Sequence, residues 1–599
     1  MEEKKANRVS KVAFAFILAF AFMILFLLST FFLTSKRHIP NTEKDQYSTS
    51  LRGNIITKDN FTVSSSKKMY RAEIDLRSID KNKLNLFLKL FQIYSGASNE
   101  QMQDIIKRMK NIKKRQYNFV LLKDLDSKHA SYLRELAKKL YIQGFFKPFA
   151  NNNNKVETRG LSIIEHEEDR VYMSENSLTP AIGYTKTIID KESKVFKNSG
   201  VKGLEKYYEE CLNSTQDEKI QGLKDIGGNI ILNSKSLQQK KMDGCNLYLN
   251  ISLKLQKSIE KDIDKKNLDL NANEIIVGIM ESKTGKIIAL ASTRRYNPSN
   301  RSSDLSVLNA SAIEYGYEAG SVIKPFIFTT ALMLNKLKPD EIIDTNGGKY
   351  KLGKFTISDD HKKDKMTMEE VIMYSSNIGM IKIAKRLSNL EIISGLRIFK
   401  FGEKSGIDLP YEQKGEIPNP KKLREIEKLV LSYGYGLKTT FIQLLAAYNV
   451  FNNDGIYITP RLAEKFYQDG RIVNLDTDIK KEKILSTQAA KIMQGILINV
   501  IEKGTGKKAI TKGIIIGGKT GTARIAERKG YTSNRYNASF FGFANDQTHS
   551  YTIGVLVRNP TKAYSYYAAQ SALPVFKDVV KILIEEDYLK PIVDNNTSK

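Results

Sequence analysis

One uninterrupted apolar segment constrains this chain more than any other feature. Residues 12–33 read VAFAFILAFAFMILFLLSTFFL and contain no charged side chain. A segment of this length and composition crosses a bilayer as a single helix, because a helix satisfies its own backbone hydrogen bonds in lipid. We therefore expect a short tail at residues 1–11, a membrane-spanning helix at 12–34 and a large remainder on one side of the membrane.

The flanks of this segment bear on its orientation. Basic residues both precede and follow it, so the positive-inside rule is ambiguous here. A cleaved signal peptide has a shorter apolar core and a small-residue cleavage site, and neither is evident. We expect an uncleaved, single-pass anchor in the cytoplasmic (inner) membrane, with the tail in the cytoplasm and the bulk of the chain in the periplasm.

Charge and cysteine content narrow the classes of function. The formal net charge is +29, but the basic residues are scattered along the chain, so no nucleic-acid partner is expected. A basic exterior facing anionic lipid or cell-wall polymer fits as well as a general compositional bias. Cys211 and Cys245 are the two cysteines. We interpret them as unrelated small apolar residues, with one disulfide in an oxidising compartment as the alternative.

A Ser-x-x-Lys motif at Ser321 and Lys324 is the first candidate for chemistry. Gly320 precedes it and an apolar run follows it, which predicts that Ser321 opens a buried helix and shares one face with Lys324. A serine hydroxyl is a weak nucleophile until a base takes its proton. A lysine amine can be that base if burial and nearby cations lower its pKa. Alone, the motif is as well explained by a helix N-cap serine.

Two further motifs follow it in order. Ser375-Ser376-Asn377 alone would read as a polar turn between helices, and Lys519-Thr520-Gly521-Thr522 alone as an edge strand guarded by a lysine. All three in this order form the pattern of penicillin-binding proteins and class A β-lactamases. With five histidines in the chain, a Ser-His-Asp triad has little support.

Hydrophobic periodicity indicates the fold class. Residues 79–148 look helical, residues 151–154 are a loop and residues 170–184 are extended. Residues 253–263 form an amphipathic helix, and helices surround Ser321 and Ser375. Strands are predicted at 247–251, 275–280, 287–291, 539–543 and 551–557. The order of strands, then helices, then strands predicts an α+β fold in which helices pack on an antiparallel sheet.

Taken together, these residues resemble the class B penicillin-binding proteins, which are membrane-anchored D,D-transpeptidases of peptidoglycan. Arg52-Gly53 with Asp59-Asn60 resembles the first motif of their pedestal, although Phe61 stands where a glycine is usual. Gly203-Leu204-Glu205 resembles the motif that precedes the catalytic domain. The segment at 250–252 usually reads Thr-Ile-Asp and lacks its acid here.

The resemblance implies a domain order. A mixed, elongated pedestal or dimerisation-type domain is expected at residues 35–235. A penicillin-binding transpeptidase domain with a serine β-lactamase-like fold is expected at 236–590, followed by a tail at 591–599. No glycosyltransferase module fits between the anchor and the pedestal, so a bifunctional class A enzyme is not expected. No metal or organic cofactor is implied.

The resemblance also implies a role for each motif residue. Ser321 would attack the D-Ala-D-Ala carbonyl and form an acyl-enzyme, with Lys324 as the acylation base. Ser375 would relay a proton to the leaving D-Ala, and Asn377 would hydrogen-bond the substrate amide. Lys519 would supply positive charge beside them.

Three neighbours of Lys519 would bind substrate. The hydroxyls of Thr520 and Thr522 suit the substrate carboxylate, and Gly521 would leave room for a substrate peptide lying along the strand. On family analogy, the backbone N–H groups of Ser321 and Thr522 would form an oxyanion hole.

Within the family, the motifs look most like the septal, cell-division transpeptidase, because the elongation-type paralogue more often has Lys-Ser-Gly where this chain has Thr520. The expected partners are peptidoglycan stem peptides on their lipid-linked precursor polymer, β-lactam antibiotics, a membrane-embedded glycosyltransferase and other division proteins. The alternatives are an elongation-type transpeptidase, a β-lactam sensor, a β-lactamase or carboxypeptidase, and an inactive division scaffold.

Overall fold

We describe the fold from a computed structural model of the chain. The described residues are 2–35, 43–111, 118–150, 156–189, 195–214, 216–223, 230–234, 236–301, 304–353, 355–475, 479–526, 530–531 and 534–592. The predicted loop at 151–154 and most of the expected C-terminal tail lie outside them.

The helices lie in three regions: the N-terminal segment, residues 84–212, and the part of the chain after residue 252. They are α1 (Glu2–Ser35), α2 (Leu84–Ser95), α3 (Asn99–Lys110), α4 (Ser127–Ile142), α5 (Gly203–Tyr207), α6 (Glu209–Leu212), α7 (Leu253–Leu270), α8 (Ser311–Glu314), α9 (Lys324–Met333), α10 (Met368–Met373), α11 (Asn377–Lys385), α12 (Asn389–Ile398), α13 (Glu425–Leu431), α14 (Phe441–Phe451), α15 (Thr487–Glu502) and α16 (Ala572–Glu585).

The strands are concentrated before residue 293 and after residue 514, with short pairs between. They are β1 (Glu43–Ser48), β2 (Ile55–Ile56), β3 (Thr62–Asp75), β4 (Asn118–Leu125), β5 (Phe149–Ala150), β6 (Val156–Glu157), β7 (Leu161–Tyr172), β8 (Tyr184–Ile189), β9 (Phe196–Lys202), β10 (Glu218–Leu223), β11 (Leu237–Gln239), β12 (Asn246–Leu249), β13 (Glu274–Glu281), β14 (Ile287–Ser292), β15 (Ile342–Asp344), β16 (Lys349–Leu352), β17 (Phe355–Ser358), β18 (Lys365–Thr367), β19 (Ile456–Ile458), β20 (Ala463–Gln468), β21 (Arg471–Asn474), β22 (Lys481–Lys483), β23 (Ile515–Arg524), β24 (Tyr536–Asn545) and β25 (Ser550–Arg558).

The chain divides into two compact units. The first comprises Met1–Ser50 and Gln216–Met242. It contains helix α1 and an antiparallel sheet in the order β1-β10-β11. Within the described residues, α1 is the helix that is long and apolar enough to cross a membrane, over Asn7–Phe32. The predicted helix at 12–34 is confirmed as a helix.

The second unit comprises Leu51–Thr215 and Asp243–Lys599. Its C-terminal part is built on a five-stranded sheet in the order β14-β13-β25-β24-β23, in which every neighbouring pair is antiparallel. Helices α7 and α16 pack on one face of this sheet through buried side chains such as Ile259 and Phe576, and α14 packs on the other face. The predicted α+β architecture, with helices on an antiparallel sheet, is confirmed.

A second sheet of the same unit joins distant parts of the chain. Its order is β21-β20-β12-β2-β3-β7-β9-β8, with β4 also paired to β3. Strand β20 pairs with β12, so residues after 462 complete a sheet that begins at residue 55. No sequence pattern predicts this pairing.

Two secondary-structure predictions need correction. The region 79–148 is not helical throughout, because Asn118–Leu125 forms β4. Its side chains at Phe119, Leu121 and Leu125 are buried, and its pairing with β3 overrides the helical character of its neighbours. The extended segment at 170–184 is interrupted by turns between β7 and β8.

The two segments that resemble pedestal motifs, at Arg52 and at Glu205, meet in a buried cluster of ion pairs. Nε of Arg52 lies 2.8 Å from Oε2 of Glu205, and Arg170 contacts the other carboxylate oxygen at 2.8 Å. Burial raises the pKa of the Glu205 carboxyl, but Arg170 and Arg52 outweigh it and the net pKa is lowered. Removing one partner from such a cluster leaves an uncompensated buried charge.

The carboxylate of Asp59 lies at the N-terminus of helix α7, beside the segment 250–252. It accepts hydrogen bonds from the backbone amides of Leu253 (2.9 Å) and Lys254 (3.1 Å), and from the Ser252 hydroxyl (3.2 Å). These amides begin helix α7, whose N-terminus favours a negative charge. The two halves of the unit are therefore joined at this helix end.

The cysteines are paired. Cys211 and Cys245 form a disulfide with their Cα atoms 5.4 Å apart, and the amide of Cys245 donates to the carbonyl of Cys211 at 2.8 Å. Our interpretation of them as unrelated apolar residues is wrong. Spacing in the sequence could not reveal the pairing, because it follows from the return of the chain beside α6 before β12.

Candidate active site

The turn that carries Ser321 follows a glycine in the left-handed region. Gly320 has φ of 61°, which a residue without Cβ adopts at no steric cost. Residues Gly320–Ile323 form a 3₁₀ turn and α9 continues from Lys324, with a proline in its first turn. Ser321 thus opens a buried helix as predicted, although through a 3₁₀ turn.

Two neighbouring segments, the loop at Gly434 and helix α14, hold this turn in place. The amide of Gly320 donates to the carbonyl of Gly434 at 3.1 Å, and the Tyr448 hydroxyl donates to the carbonyl of Val322 at 2.7 Å. A Cβ added at Gly434 would lie 1.9 Å from the Gly320 carbonyl oxygen. The backbones therefore touch, and the glycine at 434 is required by space as well as by its φ of 95°.

Lys324 is fully buried and points at the second motif. Its Nζ donates to the carbonyl oxygen of Ser375 at 2.6 Å, to the Ser375 hydroxyl at 3.1 Å and to Oδ1 of Asn377 at 2.8 Å. Burial lowers the pKa of Lys324 to about 7, against an opposing effect of Asp359 and Asp360. A substantial fraction of this amine is therefore uncharged at neutral pH.

The second motif lies between two helices. Helix α10 ends at Met373 and α11 begins at Asn377, with Ser376 as its N-cap. Ser375 has φ of 60°, a conformation that is rare for a residue with a Cβ and that concentrates at functional sites. This kink turns both the carbonyl and the hydroxyl of Ser375 toward Lys324.

Asp359 holds this kink, and sequence reasoning missed it. The buried carboxylate accepts from the amides of Asn377 (2.6 Å) and Ile378 (3.2 Å), and the Ser376 hydroxyl also donates to it. A carboxylate at a helix N-terminus is stabilised by the free amides and the helix dipole. Asp359 stands outside all three motifs, so nothing in the sequence marked it.

Lys519 is buried on β23, an edge strand of the five-stranded sheet. Burial, and to a lesser extent the nearby Lys324 charge, lower the pKa of Lys519 well below its usual value. Within the described part of the chain, Nζ of Lys519 donates a hydrogen bond to the carbonyl of Thr520 at 3.2 Å. We expect Lys519 to supply positive charge to the site, and its burial opposes that charge in the absence of a bound anion.

The other residues of the third motif face different neighbours. Thr520 and Thr522 are half-buried; the Thr522 hydroxyl accepts from the amide of Ala568 at 3.1 Å. A Cβ at Gly521 would lie 3.0 Å from the carbonyl oxygen of Ala319 and 2.8 Å from the Val322 side chain. The glycine therefore lets β23 approach the Ser321 turn, a reason that differs from the predicted one of leaving room for substrate.

The structure thus brings the three motifs to one place. Lys324, Ser375 and Asn377 are in direct hydrogen-bond contact, and β23 packs against the turn of Ser321. Over the described ranges, the Ser321 hydroxyl makes no hydrogen bond within the protein, which leaves it available to a substrate. No group of histidine, cysteine and acidic residues arranged to hold a metal occurs among the described residues.

Solved structures with this fold place the chain in a class. Penicillin-binding protein 2X from Streptococcus thermophilus matches with a TM-score of 0.70 and 20% identity, over 92% of this chain and 83% of that one. A peptidoglycan synthetase from Bifidobacterium adolescentis matches with a TM-score of 0.69 and 17% identity, over 93% and 99%. The fold is that of the penicillin-binding proteins.

Sequence comparisons place it in a family. The model of the penicillin-binding protein transpeptidase domain matches residues 275–581, and that of the penicillin-binding protein dimerisation domain matches residues 47–249. The peptidoglycan D,D-transpeptidase FtsI of Buchnera aphidicola subsp. Schizaphis graminum is 31% identical over 67% of this chain and 68% of that protein. The stage V sporulation protein D of Bacillus subtilis is 27% identical over 66% and 62%. The chain belongs to the class B penicillin-binding proteins and carries their transpeptidase domain.

Proposed function

We propose that this protein crosslinks peptidoglycan stem peptides by serine acyl transfer through Ser321, at the division septum. The observation that carries the chemistry is the position of Lys324. It is a buried amine with a pKa of about 7, one helical turn after the serine and hydrogen-bonded to both Ser375 and Asn377. An amine that is partly neutral at working pH can accept the hydroxyl proton.

The proposed reaction has two steps. Lys324 takes the Ser321 proton while Oγ attacks the penultimate D-Ala carbonyl carbon, and the C–N bond to the terminal D-Ala breaks. Ser375 passes the proton on to that leaving nitrogen. An amine of a second stem peptide then attacks the ester carbonyl carbon, a C–N bond forms and the C–Oγ bond breaks. The proton that the amine loses returns to Oγ through the same groups.

Lys519, Thr520 and Thr522 would hold the terminal carboxylate of the substrate. A bound carboxylate favours the charged form of a neighbouring amine, so substrate would raise the lowered pKa of Lys519. The positive charge would then be present at the stage when the acyl-enzyme forms. The hydroxyls of the two threonines supply donors on the same strand.

Several observations support the biological setting. The motifs resemble those of septal transpeptidases, and a relative bears the name FtsI. Penicillin-binding protein 3 from Mycobacterium tuberculosis, with a TM-score of 0.64, has been solved in complex with ampicillin, which supports β-lactams as ligands. The apolar helix α1 supports a membrane anchor. The periplasmic location of the transpeptidase domain is part of the proposal. A membrane glycosyltransferase and other division proteins would be its partners.

Detection of a penicilloyl adduct by intact mass tests the chemistry. The wild-type protein should gain the mass of one penicillin, mapped to Ser321, and Ser321→Ala should gain none. Ser486→Ala is a matched control, because Ser486 is also a serine at a helix start but caps α15 and belongs to none of the three motifs. An adduct on another residue in Ser321→Ala would overturn the assignment.

Depletion of the protein in cells tests the septal role. Filaments are expected, because septation would stop while elongation continues. Round cells would instead assign the transpeptidase to elongation. Normal shape together with rapid penicillin turnover by the purified protein would favour a hydrolase.

Protease treatment of spheroplasts tests the orientation. The domain beyond α1 should be digested from outside, and the purified protein should retain its N-terminus. Protection of the domain would place it in the cytoplasm.

A further inference from the structure

The cavity beside the Ser321 turn is lined by groups that the proposed acylation does not use. It has a volume of about 620 Å³. Its wall contains the apolar side chains of Ile417, Leu423, Ile426 and Val430, from helix α13 and the loop before it. Glu318 lies on its wall as well. A cavity of this size with an apolar lining and a few polar groups is typical of a ligand site.

The cavity adjoins the nucleophile. Glu318 precedes Ser321 by three residues, and three residues of extended chain span at most about 11 Å. The floor of the cavity at residues 435–438 continues directly from Gly434, whose backbone touches that of Gly320. The hydroxyl of Tyr435, which also lines the cavity, accepts a hydrogen bond from the amide of Arg524 at the end of β23. A ligand in the cavity would therefore be within about 11 Å of Ser321 along the chain, and off the strand proposed for the first substrate.

Among the charged residues that line the cavity, Glu318 is the one closest to Ser321 in sequence. Its carboxylate accepts from the amide of Gly436 (2.8 Å) and from the Tyr531 hydroxyl (2.7 and 2.8 Å). Among the described residues it has no cationic partner. The other carboxylates of the wall, Glu416 and Glu427, are paired with Lys438 and Arg424.

We propose that this cavity binds the second substrate of the crosslinking reaction, a peptide that presents a primary ammonium group to Glu318. This proposal rests on the proposed function, because crosslinking requires an amine acceptor that the strand β23 does not hold. The Glu318 carboxylate, which has no cationic partner within the described residues, would attract the ammonium group, and the apolar wall would contact the aliphatic stem of an amino side chain. Lys422, also on the wall and without an ion pair in the described residues, suits a carboxylate of the same peptide.

The role of Glu318 is to bind and orient the acceptor. The ammonium group binds in its charged form and loses one proton to solvent before it reacts. The neutral nitrogen then attacks the ester carbonyl carbon on Ser321, the C–Oγ bond breaks, and the second proton passes to Oγ. Holding the amine beside the ester raises its effective concentration relative to water, which competes for the same bond.

The partition of one acyl-enzyme between amine and water tests this proposal. The full-length protein in detergent is acylated with a D-alanyl thioester, and products are followed at rising concentrations of Nα-acetyl-lysine amide, a cationic amine on a four-carbon stem. Glu318→Gln should raise the acceptor concentration for half-maximal transfer by about 10- to 100-fold, the loss expected for a charge-assisted contact. Because transfer and hydrolysis draw on the same acyl-enzyme, their ratio is independent of the rate of acylation.

Two comparisons separate binding from general damage. Glu425→Gln removes a carboxylate of helix α13 that is not part of the cavity wall. It should leave the ratio of transfer to hydrolysis unchanged. With D-alanine as acceptor, whose carboxylate offsets its ammonium charge, Glu318→Gln should change the ratio by less than about threefold. A ratio for the lysine amide within twofold of wild type would overturn the acceptor site. Absence of any acyl-enzyme in the wild-type protein would instead overturn the proposed function itself.

Discussion

The backbone amide of Asn377 donates a hydrogen bond of 2.6 Å to the carboxylate of Asp359. Through this contact, a residue outside all three motifs fixes the start of α11 and therefore the side chain that Lys324 touches. The same carboxylate favours the charged form of Lys324. Asp359 thus influences both the position and the protonation of the proposed base.

Replacement of Asp359 should show both effects. Asp359→Asn loses charge-assisted hydrogen bonds worth about 1.5–3 kcal/mol each in a buried site, so the thermal midpoint should fall. It should also lower the pKa of Lys324 further, and the pH midpoint of penicillin acylation should move to lower pH. Asp360→Asn is the control for the effect on stability. Because Asp360 is exposed, this variant should change the thermal midpoint little. A midpoint that moves upward would contradict the assigned effect of the carboxylate.

The rate of acylation should depend on pH through Lys324. A base must be neutral, and the pKa of Lys324 is about 7, so the rate should rise with pH. It should increase by about tenfold per pH unit well below 7 and level off above about 8. Stopped-flow labelling with a fluorescent penicillin measures this profile. Lys324→Arg should abolish labelling at every pH, because arginine stays protonated; a rate that is flat from pH 5.5 to 8.5 would rule out this base.

Lys519→Ala should slow acylation without preventing folding. The loss of a charge-assisted contact to the substrate carboxylate costs about 1.5–3 kcal/mol, or roughly 10- to 150-fold in rate. The defect should appear with both penicillin and a D-Ala-D-Ala thioester, since both carry that carboxylate. Benzylpenicillin methyl ester provides the control substrate: its rate should be affected much less, and an equal loss would show that Lys519 acts otherwise.

Gly434→Ala should displace the Ser321 turn. The new Cβ would meet the Gly320 carbonyl oxygen at 1.9 Å, so one backbone must move. We expect acylation to fall by at least tenfold and the thermal midpoint to drop. Gly436→Ala is a matched control with a similar positive φ of 77° but no atom within 4 Å of the added Cβ. It should cost only the left-handed strain, about 1–2 kcal/mol; equal defects in both variants would refute the contact.

The disulfide should stabilise the second unit. Cys211 and Cys245 are 34 residues apart, and closing a loop of that length in the unfolded chain contributes about 3–4 kcal/mol. Cys211→Ala/Cys245→Ala should therefore unfold at lower denaturant concentration than the oxidised protein. Thiol titration of the unreduced, unfolded protein should find no free thiol. Two titratable thiols would show that the cysteines do not pair.

The sequence predicted what local pattern and chemistry determine. Two apolar runs separated by Thr284-Gly285 located the hairpin of β13 and β14, which is buried on both faces. Helical spacing located α7, because its apolar residues form one buried face. Strand β4 was missed because its pairing with β3 decides its conformation. Asp359 was missed for a related reason: a helix cap supplied by a distant loop leaves no trace in the spacing of residues. The cavity that contains Glu318 is formed by segments about 100 residues apart in sequence, so local sequence patterns do not predict it either.

The pairing of β20 with β12 also has a consequence for biosynthesis. Residues 246–249 would leave the export channel long before residues 463–467, with which they pair. Until then, the edge of β12 that β20 later covers has unpaired backbone groups, and such edges associate with other strands. Domains commonly fold in the order in which they are synthesised. Here the early sheet has to wait for the late chain, so during synthesis the uncovered edge of β12 is the place where the unfinished protein is open to mispairing.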